Sequence, residues 1–99
     1  MTDCLTIAVD FDDTFTADPV LWSKFVQHAK QLGHNPIVVT ARRNTAENMD
    51  LINEQLSHFD CHMRIYFSNL GSKVECMEKR GINVDIWIDD APYALVHGR

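Results

Sequence analysis

Ile7-Ala8-Val9-Asp10-Phe11-Asp12-Asp13-Thr14 is the stretch on which this chain turns. A short apolar run ends in three carboxylates within four residues. Like charges packed so closely repel one another, and a fold gains nothing from holding them together. A bound cation, or chemistry that needs two carboxylates, accounts for such a cluster. Near the other end of the chain Val84-Asp85-Ile86-Trp87-Ile88 runs into Asp89-Asp90 in the same manner. Two apolar strands that each deliver acids at their C-terminal ends suggest one shared acidic site.

The segments between them alternate in period. Residues 5–9 read as a buried strand. Asp18-Pro19 has the form of a helix start, with Asp18 as cap and Pro19 in the first helical position. Leu21, Phe25, Ala29 and Leu32 follow at helical spacing, Trp22 and Val26 widen the stripe, and Gly33 ends it. Residues 36–39 form a second apolar strand that closes at Thr40. Asn44 with Glu47 three residues on resembles a capping box, and Met49, Ile52, Leu56 and Phe59 supply the next helical stripe. Residues 64–67 make a third strand. Ser72 with Glu75 opens a short helix that Gly81 stops. Residues 85–88 are the fourth strand, and 91–97 a final turn of helix.

The order β-α-β-α-β-α-β-(α) predicts an α/β fold: a small central parallel sheet with helices on both faces, a Rossmann-like three-layer sandwich. In such sheets ligands bind beyond the carboxyl ends of the strands. Asp10, Thr40 and Asp89 each sit at such an end, which predicts that the strand of residues 5–9 lies between those of residues 36–39 and 85–88.

Size and composition narrow the function. The 99 residues suffice for one domain, residues 1–99, and 45% of them are hydrophobic, as in an ordinary globular protein. The net charge of −5 opposes bulk attraction to nucleic acid or anionic membranes. Cys4, Cys61 and Cys76 show no CxxC spacing and read as thiols in a reducing cytosol; Cys61-His62 is a poor zinc site. There is no signal-peptide pattern and no run of membrane-spanning length. A cytoplasmic protein is expected.

The candidate chemistry follows from the residue types. Of two carboxylates separated by one residue, one can attack an electrophile while the other handles the proton. Carboxylates that form aspartyl-phosphates are an established route for phosphoryl transfer. A hard cation such as Mg²⁺ suits an all-oxygen ligand set. Thr40 offers a hydroxyl and Lys73 a point charge for phosphoryl oxygens. Arg42 and Arg43 come just after Thr40, in Thr40-Ala41-Arg42-Arg43; Arg42 either contacts substrate phosphate or simply solvates its loop. Asp90 is either a further metal contact or the cap of the last helix. Asp13 reads as a turn residue. Lys73 competes for its role with Lys79 on the same short helix and with Lys24.

Taken together these residues resemble the haloacid dehalogenase (HAD) superfamily, mostly Mg²⁺-dependent phosphatases. Asp10-Phe11-Asp12-Asp13-Thr14 is similar to the first motif, DxDx[T/V]. Thr40 after Ile37-Val38-Val39 resembles the second, Lys73 the third, and Asp89-Asp90 after Ile86-Trp87-Ile88 the fourth. The motifs come in family order and span residues 5 to 90. The resemblance implies Asp10 as nucleophile and metal ligand. It implies Asp12 as general acid/base with its backbone carbonyl on the metal, Asp89 on the metal, and Thr40 and Lys73 on phosphoryl oxygens. Asp13 departs from the Gly of many members, although some acid phosphatases of the family carry a DxDDT form. Residues 15–18 and 68–71 leave no room for a cap domain, and the usual strands after the fourth motif are missing. A capless, minimal member is implied. Such members tend to act on macromolecular or extended phosphoesters, or borrow a lid from a neighbouring subunit, so an oligomer is compatible with the pattern.

Two other classes compete. A receiver-like phospho-acceptor domain shares the acids, hydroxyl and lysine, but there the acceptor Asp ends the third strand and the Lys comes last; here Phe67-Ser68-Asn69 ends the third strand. A HAD-like fold that binds phosphate or metal without turnover is the remaining alternative.

Overall fold

The computed structural model describes residues 4–98. Its elements are β1 (Thr6–Val9), α1 (Pro19–Gln31), β2 (Asn35–Thr40), α2 (Ala46–His58), β3 (Ile65–Phe67), α3 (Lys73–Lys79), β4 (Ile86–Ile88) and α4 (Pro92–His97). The four strands form one all-parallel sheet in the order β3-β2-β1-β4. β1 is flanked by β2 and β4, as the convergence of Asp10, Thr40 and Asp89 requires. The chain adds β2 and β3 on one side of β1, then crosses to its other side for β4. The strand order therefore reverses between β1 and β4, the place where α/β sheets open a crevice.

Side chains alternate across the sheet, as the pleat demands. Ile7, Val9, Val38 and Phe67 pack with Val26 and Ala29 of α1 and Ile52 and Leu56 of α2. Ala8, Ile37, Val39 and Tyr66 pack with Met77 of α3 and with Ile82, Val84 and Trp87. Helices thus cover both faces, compatible with the expected three-layer sandwich. Between β1 and α1 lies only the turn of residues 10–18, and between β3 and α3 only residues 68–72. The expected domain of residues 1–99 has its extreme ends, residues 1–3 and 99, outside the described residues. No helix among the described residues is long and apolar enough to cross a membrane.

Two expectations need correction. The helix-start reading at Asn44 is off by one. Thr45 caps α2, its side chain accepting the Asn48 N–H at 3.1 Å, whereas the Asn44 N–H is used by Asn69 Oδ1 at 2.8 Å. The stripe of α1 is narrower than the spacing suggested: Leu21 and Leu32 are 54% and 60% exposed, and the face turned inward is Trp22, Phe25, Val26 and Ala29. A helix of 13 residues is about 20 Å long, and a strand of four residues about 13 Å. The ends of α1 overhang the sheet, and apolar residues there meet solvent. β4 is an edge strand, and Ile86 on it is exposed. The caps at Asp18, on the Leu21 N–H, and at Ser72, on the Glu75 N–H, form as read. The three cysteines are unpaired thiols.

Candidate functional site

Asp10 leaves the end of β1 with its backbone fixed, because its N–H extends the β1–β4 ladder to the Ile88 carbonyl at 2.9 Å. The chain then makes one wide turn, closed by Phe15 N–H to Asp10 C=O (3.2 Å) and Thr16 N–H to Phe11 C=O (3.1 Å). These bonds span five residues rather than four, a geometry common where a backbone is shaped around a site. Asp13 sits at φ 63°, a left-handed conformation that Gly and, less readily, Asp or Asn adopt. This gives Asp13 the turn role expected of it, and its N–H is held by Thr16 Oγ1 at 2.9 Å. Phe11 and Phe15 are buried and stacked, centroids 5.9 Å apart. Burying Phe11 between two aspartates sends those aspartates to different surroundings.

Asp10 goes inward and is 3% exposed. Its Oδ1 receives Lys73 Nζ at 2.7 Å, and the same ammonium donates to Asp89 Oδ2 at 2.6 Å. Lys73 is itself 1% exposed. It occupies the first position of α3, where the helix dipole disfavours a cation, so helix stability does not explain it. Its placement is explained by the two carboxylates it joins. Of the three lysines weighed from the sequence, Lys73 is the one that reaches these carboxylates; Lys79 makes an exposed pair with Glu75. Burial is the largest influence on Asp10 and pushes its carboxyl up; Lys73 works against that, and the balance lies at about 6.

Asp89 ends β4, and its second oxygen accepts the Ala91 N–H at 2.8 Å. Asp90 is tied to the first turn through Thr14: its N–H donates to Thr14 Oγ1, and that hydroxyl lies 3.2 Å from Asp90 Oδ1 and 3.5 Å from Asp10 Oδ2. A hydroxyl has one proton, so it can donate to only one of the two carboxylates at a time. Carboxylate oxygens of Asp10, Asp89 and Asp90 lie within 4.8 Å of one another. Three hard oxygen donors at that spacing fit a divalent cation of the Mg²⁺ or Mn²⁺ type.

Asp12 is not part of this group. Its carboxylate turns to the loop after β2, where Arg42 grips both oxygens, Nε to Oδ2 at 2.9 Å and Nη2 to Oδ1 at 2.8 Å. Arg42, read as a substrate contact or a loop-solvating residue, here holds Asp12, which raises the guanidinium's already high pKa further. Thr40 is fully buried at the end of β2, and its Oγ1 accepts the Arg42 N–H at 3.2 Å, starting the turn that carries the arginine. With Val9 opposite Val38, Asp10 and Thr40 leave the same end of adjacent strands.

Two residues were not assigned roles from sequence. Thr14 belongs to the first motif, and its spacing of four from Asp10 was the available signal. Asn48, whose Oδ1 accepts Arg42 Nη1 at 2.9 Å, carries no signal, because an amide in the first turn of a helix is usually an ordinary solvated residue. Two grooves of about 390 Å³ each flank β3, but no carboxylate of the cluster lines either. The chemistry-bearing residues lie instead at the β1/β4 crossing. Comparison with protein-family models, curated proteins and solved structures finds no match to this chain.

Proposed function

We propose that the protein is a phosphomonoester hydrolase of the HAD kind, capless and dependent on a divalent cation, Mg²⁺ in the first instance. The observation that carries this reading is Lys73, a buried ammonium joining Asp10 and Asp89 at the ends of the two parallel strands between which the strand order reverses. Structural needs are met more cheaply by apolar side chains, since a buried ion pair is a weak source of stability. An acidic pair with a lysine between them is what an anion-transferring carboxylate requires.

In this reading an Asp10 oxygen attacks phosphorus, the bond to the ester oxygen breaks, and an aspartyl-phosphate forms. Asp12 gives its proton to the departing oxygen. Asp12 then takes a proton from water as that water attacks phosphorus, which releases inorganic phosphate and restores Asp10. Lys73 steadies the reacting carboxylate and the negative charge beside it, and Thr40 closes the strand end. A cation held by Asp10, Asp89 and Asp90 would supply charge neutralisation for the phosphoryl oxygens. Asp90 serves that site through Thr14. A cytoplasmic setting and a phosphorylated substrate of extended type are part of the same proposal.

The experiment is a screen of phosphomonoesters with Mg²⁺ and with EDTA, run beside Asp10→Asn. Mg²⁺-dependent release of phosphate that Asp10→Asn abolishes is the expected result. Wild-type hydrolysis retained by Asp10→Asn would remove the nucleophile assignment. No hydrolysis of any ester would favour the non-catalytic, cation-binding alternative.

A further inference from the structure

Arg42 is held at three nitrogens and against one ring. Its fork takes both oxygens of Asp12, Nη1 reaches Asn48 Oδ1 at 2.9 Å, and the guanidinium carbon lies 5.6 Å from the centre of the Phe11 ring. Asn48 is fixed in turn: its Nδ2 donates to the Arg43 carbonyl at 2.9 Å and its N–H to Thr45 Oγ1 at 3.1 Å. Arg42 and Asp12 are each about one-third exposed at their side chains, so the pair is open to solvent and to ligand.

A guanidinium has donors only. While its fork lies on both oxygens of Asp12, two of the carboxylate's lone-pair positions face N–H donors, and a cation sits beside the group that has to carry the proton. Proton delivery by Asp12 is therefore easier once Arg42 lets go of at least one oxygen. A released fork needs another acceptor, and a second oxyanion on the substrate matches its bidentate geometry.

We propose that Arg42, steadied by Asn48, is a latch on Asp12, and that the preferred substrates are phosphomonoesters carrying a second oxyanion, a carboxylate or a further phosphoryl group, that takes Asp12's place in the fork. This rests on the hydrolase reading above. A substrate without the second group leaves the latch closed most of the time, and the rate is multiplied by the fraction of time it is open.

The test compares glycerol 1-phosphate, 3-phosphoglycerate and glycerol 1,3-bisphosphate on the full chain with Mg²⁺; the last two separate a carboxylate from a phosphoryl group as the releasing oxyanion. Wild type should show kcat about tenfold higher on at least one of the latter two, the worth of roughly one charge-assisted hydrogen bond. Arg42→Met should raise kcat on glycerol 1-phosphate, raise KM for the preferred doubly anionic ester, and bring the kcat values together. Asn48→Ala should raise kcat on glycerol 1-phosphate alone. Equal wild-type rates on all three, or an equal loss of kcat on all three in Arg42→Met, overturns the latch. If wild type hydrolyses none of them, the hydrolase reading fails for these esters, and the latch is read instead from the Arg42 Nε–Hε resonance. That resonance should move in Asp12→Asn and on titration of wild type with 3-phosphoglycerate or glycerol 1,3-bisphosphate; a resonance unmoved by both esters overturns it.

Discussion

Asp10→Asn should stabilise the metal-free protein, and the gain should depend on pH in a set way. Asp10 is buried, and its carboxyl is raised from 3.8 to about 6 with desolvation as the leading cause. The native state thus holds this proton more tightly than the unfolded chain does. Its contribution is fully present below pH ~3.8 and is lost as the pH rises to about 6, after which it changes no further. At about 1.4 kcal/mol per pH unit, that interval corresponds to about 3 kcal/mol. Asparagine has the same shape and stays neutral, its amide oxygen can still accept from Lys73, and Lys73 keeps Asp89. Wild type and Asp10→Asn should therefore be nearly equal in stability near pH 4, diverge between pH 4 and 6, and differ by about 3 kcal/mol above pH 7. In urea that is a midpoint difference of about 1–3 M, readable by circular dichroism with EDTA present. Parallel curves from pH 4 to 8 would refute the idea that a desolvated Asp10 carboxylate strains the fold. A variant less stable than wild type at pH 8 would show that the bond from Lys73 outweighs desolvation.

Lys73→Met leaves Asp10 and Asp89 buried without their shared cation and should destabilise by about 3–5 kcal/mol, with part recovered in the Asp10→Asn background; urea denaturation checks both. Millimolar Mg²⁺ should raise the melting temperature of wild type, by about 2.7 kcal/mol of stabilisation at a hundredfold excess over Kd, and raise that of Asp89→Asn less; calorimetric titration without heat for Mg²⁺ or Mn²⁺ would contradict the cation site. Thr14→Val removes the hydroxyl shared by Asp10 and Asp90 and should cost about 1–3 kcal/mol while weakening Mg²⁺ binding; unchanged affinity would mean Asp90 needs no tether. Asp12→Asn should slow hydrolysis by about 10²–10⁴-fold on alkyl esters and far less on aryl esters, whose leaving groups need little protonation; an equal loss on both would remove the acid role.

The fold was legible because its signals are local and repeated. Each strand is an apolar run ended by a polar residue, and each acid sits where a parallel sheet presents its ligand edge. The position of β1 between β2 and β4 followed from the demand that Asp10, Thr40 and Asp89 meet. What was not legible is lateral. The exposure of Leu21 and Leu32 depends on how far α1 outreaches the sheet beneath it, which spacing within the helix does not encode. The divergence of Asp10 and Asp12 depends on the burial of Phe11 and the left-handed Asp13. The grip of Arg42 on Asp12 joins residues 30 apart through a rotamer that depends on Asn48, and no pattern in the sequence marks that pairing.

The central strand is the first to be made and the last to be completed. β1 spans Thr6–Val9, while its neighbour β4 spans Ile86–Ile88, so one flank of β1 stays open until residue 88 has been made. The Thr6 N–H bond to Asp85 closes a separation of 79 residues, and Thr14 to Asp90 one of 76. Such long-range parallel closure carries its entropic cost before any contact offsets it, which slows folding. On a ribosome, the N-terminal half would present β1 with an unpaired, apolar edge for as long as β4 is being synthesised. Asp89 reaches Asp10 and Lys73 only in that final closure, so the site cannot mature in a partly folded chain, and a fragment ending before residue 85 would hold a first strand with one flank unpaired.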